Sequence, residues 1–410
     1  VTAPVFVLGG TYTDFARAWH RDGIDLAAAF TGAVDEAIAA CQVDAAEVDA
    51  GHVGNFTAEL FAGQGQLGGL FPVARPEWIG LPTARHEAAC ASGSVAVLAA
   101  AAELEAGRCD LACVVGIEQL RNVSGAQAAA HLGVAAWAGH EGQDATYLWP
   151  AMFSTVTEAY AERWGLDRAH LVALARQGFA NARHNPRAQT RSWVLGDAQF
   201  AEDDAANPVI EGRVRRHDCA QLTDGAAVLF LASPAAAARW AARTGRNLDD
   251  VPRLLGWGHR TAPLGLAAKL AAAAGGDGYL MPTVRWALED AWRRAGLAGV
   301  DDIDAVELHD CFSITAYMLI DHLGLGPIGR PGEVIASGRL GPGGATPINP
   351  SGGLIGAGHP VGATGVRMLV DAHRQVTGAA GAMQVDGARR VQTINIGGSA
   401  TTTVSFVVGR

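Results

Sequence analysis

The stretch His86-Glu87-Ala88-Ala89-Cys90-Ala91-Ser92-Gly93-Ser94-Val95 sets one cysteine among small residues, just ahead of an unbroken alanine, valine and leucine run. That run reads as a buried helix. Cys90 then falls in its first turn, where unpaired backbone N–H groups and the helix dipole favour a thiolate. Ala91, Ser92 and Gly93 leave room for a substrate at the sulfur. The competing reading is a buried core cysteine, the ordinary state of a free cysteine.

Outward from this stretch, the chain repeats itself. The Cys90 helix leads to a strand at Leu111–Gly116, and Gly362-Ala363-Thr364-Gly365 with a helix over Val366–Val376 leads to a strand at Val391–Ile396. Ala33–Ala37 followed by Val48–Asn55 reads as helix, turn and strand, and so does Ala287–Ala291 followed by Ile303–Asp310. Helices alternating with short apolar strands predict α/β halves whose sheets are covered on both faces. Two halves packed through their central helices would bring both helix N-termini to one centre.

Two more segments carry chemistry. Val306-Glu307-Leu308-His309-Asp310-Cys311-Phe312-Ser313 ends a predicted strand, and Asn349-Pro350-Ser351 opens a glycine-rich run that continues through His359-Pro360 to Gly365. His309 and Cys311 are two residues apart, so both side chains can point to one side, with Asp310 pointing the other way and fixing the backbone. His359 sits between Gly358 and Pro360, a turn that holds a side chain without crowding it.

With the Cys90 segment, these motifs resemble the thiolase superfamily over nearly the whole chain, and specifically its sterol-carrier-protein-type branch, marked by His-Asp-Cys-Phe. The resemblance implies an α/β thiolase fold: duplicated βαβαβαββ halves in five αβαβα layers, with an inserted loop domain. Residues 1–118 and 222–250 would form the N-terminal half, 119–221 the insertion covering coenzyme A and substrate, and 251–410 the C-terminal half.

The implied chemistry makes or breaks the bond between carbons 2 and 3 of a 3-ketoacyl thioester. It needs a nucleophile, its base, an acid/base at carbon 2 and two oxyanion sites. Cys90 would carry the acyl group, and His359 would take its proton. Cys311 suits the acid/base, because a thiol near neutral pKa both gives and takes a proton. His309 and His359 would hold the enolate oxygen, and the N–H groups of Cys90 and Gly397 the second oxyanion. The commoner thiolases carry a second cysteine in a C-terminal Cys-x-Gly motif; here the matching place is Asn395-Ile396-Gly397, so Cys311 takes that role. A further departure, Ala316 where the branch usually has a glutamate, bears on the substrate pocket. For substrate and coenzyme A contacts, the expected residues are Arg213, Arg215, Trp149 and Ser351, with solvated surface as the competing reading of the arginines.

Composition narrows the field. The 410 residues are 49% hydrophobic and 18% charged, enough for a large core, and the formal net charge of -10 argues against a general nucleic-acid binder. No run of membrane-spanning length stands free of charge and Gly/Pro punctuation. Val1–Gly10 reads as a first strand without a basic leader, and the C-terminus carries no peroxisomal-type tripeptide. Six cysteines without paired spacing point to reduced thiols and a cytoplasmic location. Cys109 and Cys113 are expected on one buried strand face, and no metal site is expected. Gly63-Gln64-Gly65-Gln66-Leu67-Gly68 satisfies G-x-G-x-x-G, but no strand leads into it. Lys269, the single lysine, is the one candidate for Schiff-base chemistry, which is disfavoured.

The leading expectation is a coenzyme-A-dependent acyltransferase with no permanently bound cofactor, coenzyme A being a substrate. A homodimer or tetramer is implied by resemblance, and a small partner subunit is a further option. One rival is a thiolase-fold retro-aldol lyase, or a C-acyltransferase working with a partner subunit. The other is a non-catalytic acyl-CoA-binding subunit.

Overall fold

The computed structural model describes residues 3–273 and 278–410; Val1 and Thr2, at the start of the expected first strand, lie outside the described residues. In chain order the strands are β1 (Phe6–Tyr12), β2 (Ala50–Gly54), β3 (Thr83–His86), β4 (Leu111–Glu118), β5 (Val209–Glu211), β6 (Val214–Arg215), β7 (Gly225–Ala232), β8 (Arg253–Thr261), β9 (Ala305–Leu308), β10 (Arg390–Gly397) and β11 (Thr402–Gly409). β5 and β6 form a short hairpin, while the others run in the order β3-β2-β4-β7-β1-β8-β11-β10-β9. A single register pair, Phe6 with Arg253, joins β1 to β8, so the sheet divides there into two halves.

Each half-sheet is covered on both faces. In β4, Leu111, Cys113, Val115 and Ile117 pack outward with Phe30 and Val34 of the Leu26–Cys41 helix and Trp240 of the Pro234–Thr244 helix. The alternate residues Ala112 and Val114 face a central layer, as the two-residue period of a strand requires. That layer is made by the helices Ser92–Glu105 and Thr364–Thr377, and Val404, Phe406 and Val408 of β11 cover it from the other half. The outer layer beyond β9 and β10 holds the helices Pro282–Ala295 and Ser313–Leu323. Helix, sheet, helix, sheet and helix give the five expected layers.

The Leu26–Cys41 helix shows how local sequence sets an element. Its buried positions Leu26, Phe30, Val34, Ala37 and Cys41 recur at helical spacing, Asp25 accepts from the Ala28 N–H at 2.7 Å, and Gln42 ends it at φ 53°. Cys109, by contrast, departs from expectation. It precedes β4 and packs into the central layer, whereas Cys113 faces outward, because strand alternation begins only at Leu111. The Gly63–Gly68 run leaves the Ala58–Ala62 helix rather than a strand, so the βαβ setting of a dinucleotide loop is missing.

Glycines let the two central helices meet. A Cβ on Gly93 would lie 2.6 Å from the Gly362 carbonyl oxygen, and one on Gly365 would lie 2.4 Å from the Ser94 nitrogen. No real side chain fits those gaps, so the N-termini of both helices converge on one point. Residues 119–221 span the interval between β4 and β7 and hold the helices Gly125–Leu132, Leu148–Trp164 and Arg168–Ala182.

Candidate active site

Cys90 lies in a tight 3-10 turn, Ala89–Ala91, one turn ahead of the Ser92–Glu105 helix rather than inside it. Ala89 is left-handed at φ 49°, a conformation that costs an L-residue about 1–2 kcal/mol, so the turn around the nucleophile is held against its preference. Ser92 helps: its Oγ accepts from the Ala88 N–H at 2.9 Å and donates to the Ala89 carbonyl at 2.6 Å. Burial pushes the Cys90 thiol up to about 12, while the N–H groups of Gly398 and of Cys90 itself face the sulfur and oppose that rise. The expected thiolate is therefore not the resting state. Desolvation outweighs the helix terminus, and Cys90 rests as a thiol that needs a base.

His359 follows Gly358, at φ 113°, and its backbone N–H donates to Thr223 Oγ1 at 2.9 Å. Its Nδ1 lies 2.7 Å from Thr364 Oγ1, and that hydroxyl donates to the Pro360 carbonyl at 3.1 Å. With its own proton so used, Thr364 Oγ1 must accept from His359 Nδ1–H. His359 Nε2 then carries a lone pair and has no hydrogen-bond partner among the described residues.

His309 shows the converse arrangement. It follows β9, whose parallel register with β10 pairs Leu308 with Ile394 and so sets Asn395 alongside it. Asn395 Nδ2 is 2.9 Å from His309 Nδ1 and Asn395 Oδ1 accepts from Ser94 Oγ at 2.8 Å, the amide being assigned this way round. His309 Nδ1 accepts, and Nε2 carries the proton. Burial holds both imidazoles neutral, His359 down to about 3 and His309 well below its ordinary value, with the Arg367 charge acting the same way.

One ligand-type atom from each of Cys90, His309 and His359 lies within 4.8 Å of the others. Such a cluster can hold a metal ion. The tautomer assigned to His309, however, turns an N–H rather than a lone pair inward, which suits an anion. Cys311 opens on the same cavity as Cys90; burial first, then the neighbouring Cys90, pushes its thiol well above the ordinary value, and Thr315 Oγ1 is 3.5 Å from its sulfur. Asp310 points away and accepts from the Leu354 N–H at 2.5 Å, fixing the backbone as expected.

The cavity has a volume of about 250 Å³ and is walled mainly by apolar side chains, among them Phe56, Leu120, Leu148, Trp149, Phe153 and Phe312. Phe153 and Phe312 stack with centroids 4.5 Å apart, joining the insertion to the His309–Phe312 motif. Of the expected contacts, Trp149 lines the cavity, and its Nε1 donates to the Leu132 carbonyl. Arg213 is exposed, 4.0 Å from Glu158. Arg215 is committed to Asp204 and the Asn207 carbonyl, and Ser351 is buried away from the cavity between Glu307 and Arg367. Gly397 packs on the Ala88 carbonyl, and it is Gly398 that borders the cavity. Ala316 lies outside it too, in a gap of about 10 Å³ beside Asp310 and Gln177.

Thr364, Asn395, Ser94 and Gly398 are the residues that sequence reasoning did not assign. Thr364 could have been found, five positions after His359 in the same motif. Asn395 and Ser94 are 301 residues apart, and no local signal links them.

Comparison with known proteins completes the picture. Residues 24–235 match the thiolase N-terminal domain and residues 275–410 the thiolase C-terminal domain-like family. The chain is 30% identical to an acetyl-CoA acetyltransferase of Methanothermobacter thermautotrophicus, across 99% of both chains. It is 27% identical to sterol carrier protein 2 of Gallus gallus, across 99% of this chain and 72% of that protein. Among solved structures, an Ltp2-ChsH2(DUF35) aldolase superposes with a TM-score of 0.74 at 21% identity, covering 100% of this chain and 98% of that one. The acetyl-CoA acetyltransferase of Syntrophomonas wolfei superposes at 0.70 with 18% identity over the full length of both. With its fold, its motifs and both matched domains in agreement, this chain belongs to the thiolase superfamily.

Proposed function

We propose that this protein is a coenzyme-A-dependent acyltransferase that cleaves 3-ketoacyl-CoA, or runs the reverse condensation, through an S-acyl Cys90. The observation that carries this reading is the convergence of Cys90, His309 and His359 within 4.8 Å, beside a second thiol on the same cavity. In the cleavage direction, Cys90 Sγ attacks carbon 3 as His359 Nε2 takes the thiol proton. The tetrahedral oxyanion sits at the N–H groups of Cys90 and Gly398. The bond between carbons 2 and 3 then breaks, leaving an S-acyl enzyme and an enolate held by the N–H groups of His309 and the newly protonated His359.

Cys311 delivers its proton to carbon 2. Its raised pKa fits that order, since the thiol starts protonated and acts first as acid. The resulting thiolate takes the proton of incoming coenzyme A, whose sulfur attacks the acyl-enzyme. Cys90 leaves as thiolate and recovers its proton from His359, so every group returns to its starting state. Coenzyme A is thus a substrate in this scheme.

A second reading, a retro-aldol lyase working with a partner subunit, is favoured by the likeness to the Ltp2-ChsH2(DUF35) aldolase. Such chemistry needs no acyl-enzyme. The test is thiolysis of acetoacetyl-CoA and a longer 3-ketoacyl-CoA by the wild type, Cys90→Ala and Cys311→Ala, with intact-mass detection of adducts. Turnover with a Cys90 adduct, abolished in Cys90→Ala and nearly so in Cys311→Ala, is expected. Full activity in Cys90→Ala would favour the lyase, and acyl-CoA binding without turnover or adduct would favour a binding subunit or a partner-dependent enzyme.

A further inference from the structure

The amide that faces Cys90 belongs to a turn that draws part of its support from outside itself. Between β10 and β11, residues Gly397–Thr401 contain two left-handed positions, Gly398 at φ 60° and Ala400 at φ 62°. The second lacks the freedom of glycine and is disfavoured. Within the turn, the Thr401 N–H donates to the Gly397 carbonyl at 3.0 Å, and outside it the Ala262 N–H donates to the Thr401 carbonyl at 2.7 Å. Further support comes from the chain's single lysine.

Lys269, on the Leu266–Ala273 helix, is 2% exposed. Its Nζ donates to Ser399 Oγ at 2.6 Å, Thr401 Oγ1 at 2.7 Å and the Leu264 carbonyl at 3.0 Å. An ammonium has three protons, and each is placed. Two of the acceptors flank Ala400, so one nitrogen pins the turn on both sides of its disfavoured residue. None of the three is a carboxylate. The nearby Glu141 is engaged elsewhere, accepting from the N–H groups of Leu266 and Trp137. The insertion therefore grips the same short segment from which Lys269 reaches the turn.

We infer that Lys269 is a positioning residue, holding the Gly397–Thr401 turn so that the Gly398 amide faces the Cys90 sulfur. This rests on the acyl-transfer reading for its effect on rate, but not for its effect on the turn. Arginine could not replace it, because a planar fork cannot direct three donors at acceptors gathered around one point.

The test compares full-length wild type with Lys269→Met by three measurements: thiolysis of acetoacetyl-CoA, iodoacetamide labelling of Cys90, and hydrogen exchange in the peptide holding Gly397–Thr401. In the variant, kcat is expected to fall roughly ten- to a hundredfold, approaching the loss of one oxyanion donor, with KM little changed. Labelling of Cys90 should slow, since the sulfur loses the Gly398 N–H that favours its thiolate, and the turn should exchange at least about tenfold faster, since its held conformation opens locally. A folded Lys269→Met with unchanged kcat and unchanged exchange would overturn the inference, as would a raised KM and lower thermal stability with the turn's exchange unchanged, the mark of a merely structural lysine. Faster exchange in a wild-type background that shows no turnover and no Cys90 adduct would instead sink the acyl-transfer reading and leave the positioning role standing. Should Lys269→Met fail to fold, Ser399→Ala and Thr401→Val remove its acceptors one at a time; wild-type exchange and kcat in both would refute the role.

Discussion

His309 and His359 meet edge to face with ring centroids 5.1 Å apart, and they turn opposite kinds of nitrogen toward Cys90. Thr364 leaves His359 with a lone pair at Nε2, while Asn395 leaves His309 with a proton there. One ring can take a proton and its neighbour can donate a hydrogen bond, although burial pushes the pKa of both in the same direction. The division of labour comes from their partners, not from their acidity.

Thr364→Val removes the acceptor that fixes His359, and Asn395→Ala removes the donor that fixes His309. Each is expected to lower kcat for thiolysis roughly ten- to a hundredfold, a fraction of what complete loss of a general base costs. Steady-state rates at saturating 3-ketoacyl-CoA measure this. Wild-type kcat in both variants would show that the tautomers do not matter.

The raised Cys90 pKa predicts how the free enzyme reacts with an alkylating agent. With the thiol near 12 and His359 near 3, neither group titrates between pH 5 and 9. The thiolate fraction then grows about tenfold per pH unit across that range. Iodoacetamide labelling of Cys90 should climb steadily with no plateau. A plateau reached below pH 8 would mean a preformed thiolate–imidazolium pair.

Glu118, fully buried, accepts from the N–H groups of Phe56, Thr57 and Gly362 and from the Asn55 amide, tying β4 to the loop after His359. Both oxygens face donors only. Glu118→Gln would set an NH₂ group against N–H groups and is expected to cost about 2–3 kcal/mol, the scale of a lost charged hydrogen bond. Denaturant unfolding would register it as a lower midpoint, and an unchanged midpoint would refute the assignment.

Arg367 is fully buried and bonds Glu307 and Asp371, each at 2.9 Å, with Ser351 Oγ at 2.7 Å. Arg367→Met would leave Glu307 in the core without a cation and Asp371 with Arg374 alone, 3.8 Å away. A destabilisation of about 3–5 kcal/mol is expected, typical of breaking a buried pair from one side. Glu307→Gln combined with Asp371→Asn should recover part of that loss in the Arg367→Met background; additivity of the changes would contradict a shared network.

The sequence by itself determined the residue types and the period of the elements. Cys90, His309, Cys311 and His359 stood out because each lies where a strand or glycine-rich turn meets a helix, and such junctions carry local signals in glycine, proline and apolar runs. The layered fold was legible for the same reason: β4 alternates by twos and the Leu26–Cys41 helix by threes and fours. Tertiary structure alone decided the protonation states. Cys90 is a thiol because packing removes water from it, a sum over many distant atoms that a helix terminus cannot outweigh. Ser351, in the middle of a catalytic-looking motif, turns instead to Arg367 sixteen residues on. Gly398 rather than Gly397 meets the cavity because Gly397 is pressed against Ala88. Proton positions on the two histidines follow from Thr364 and Asn395, the latter reaching His309 only when β9 and β10 have paired. Hydrogen bonds are directional and short-ranged, so side-chain identity can be read along a chain, but donor and acceptor are assigned only in space.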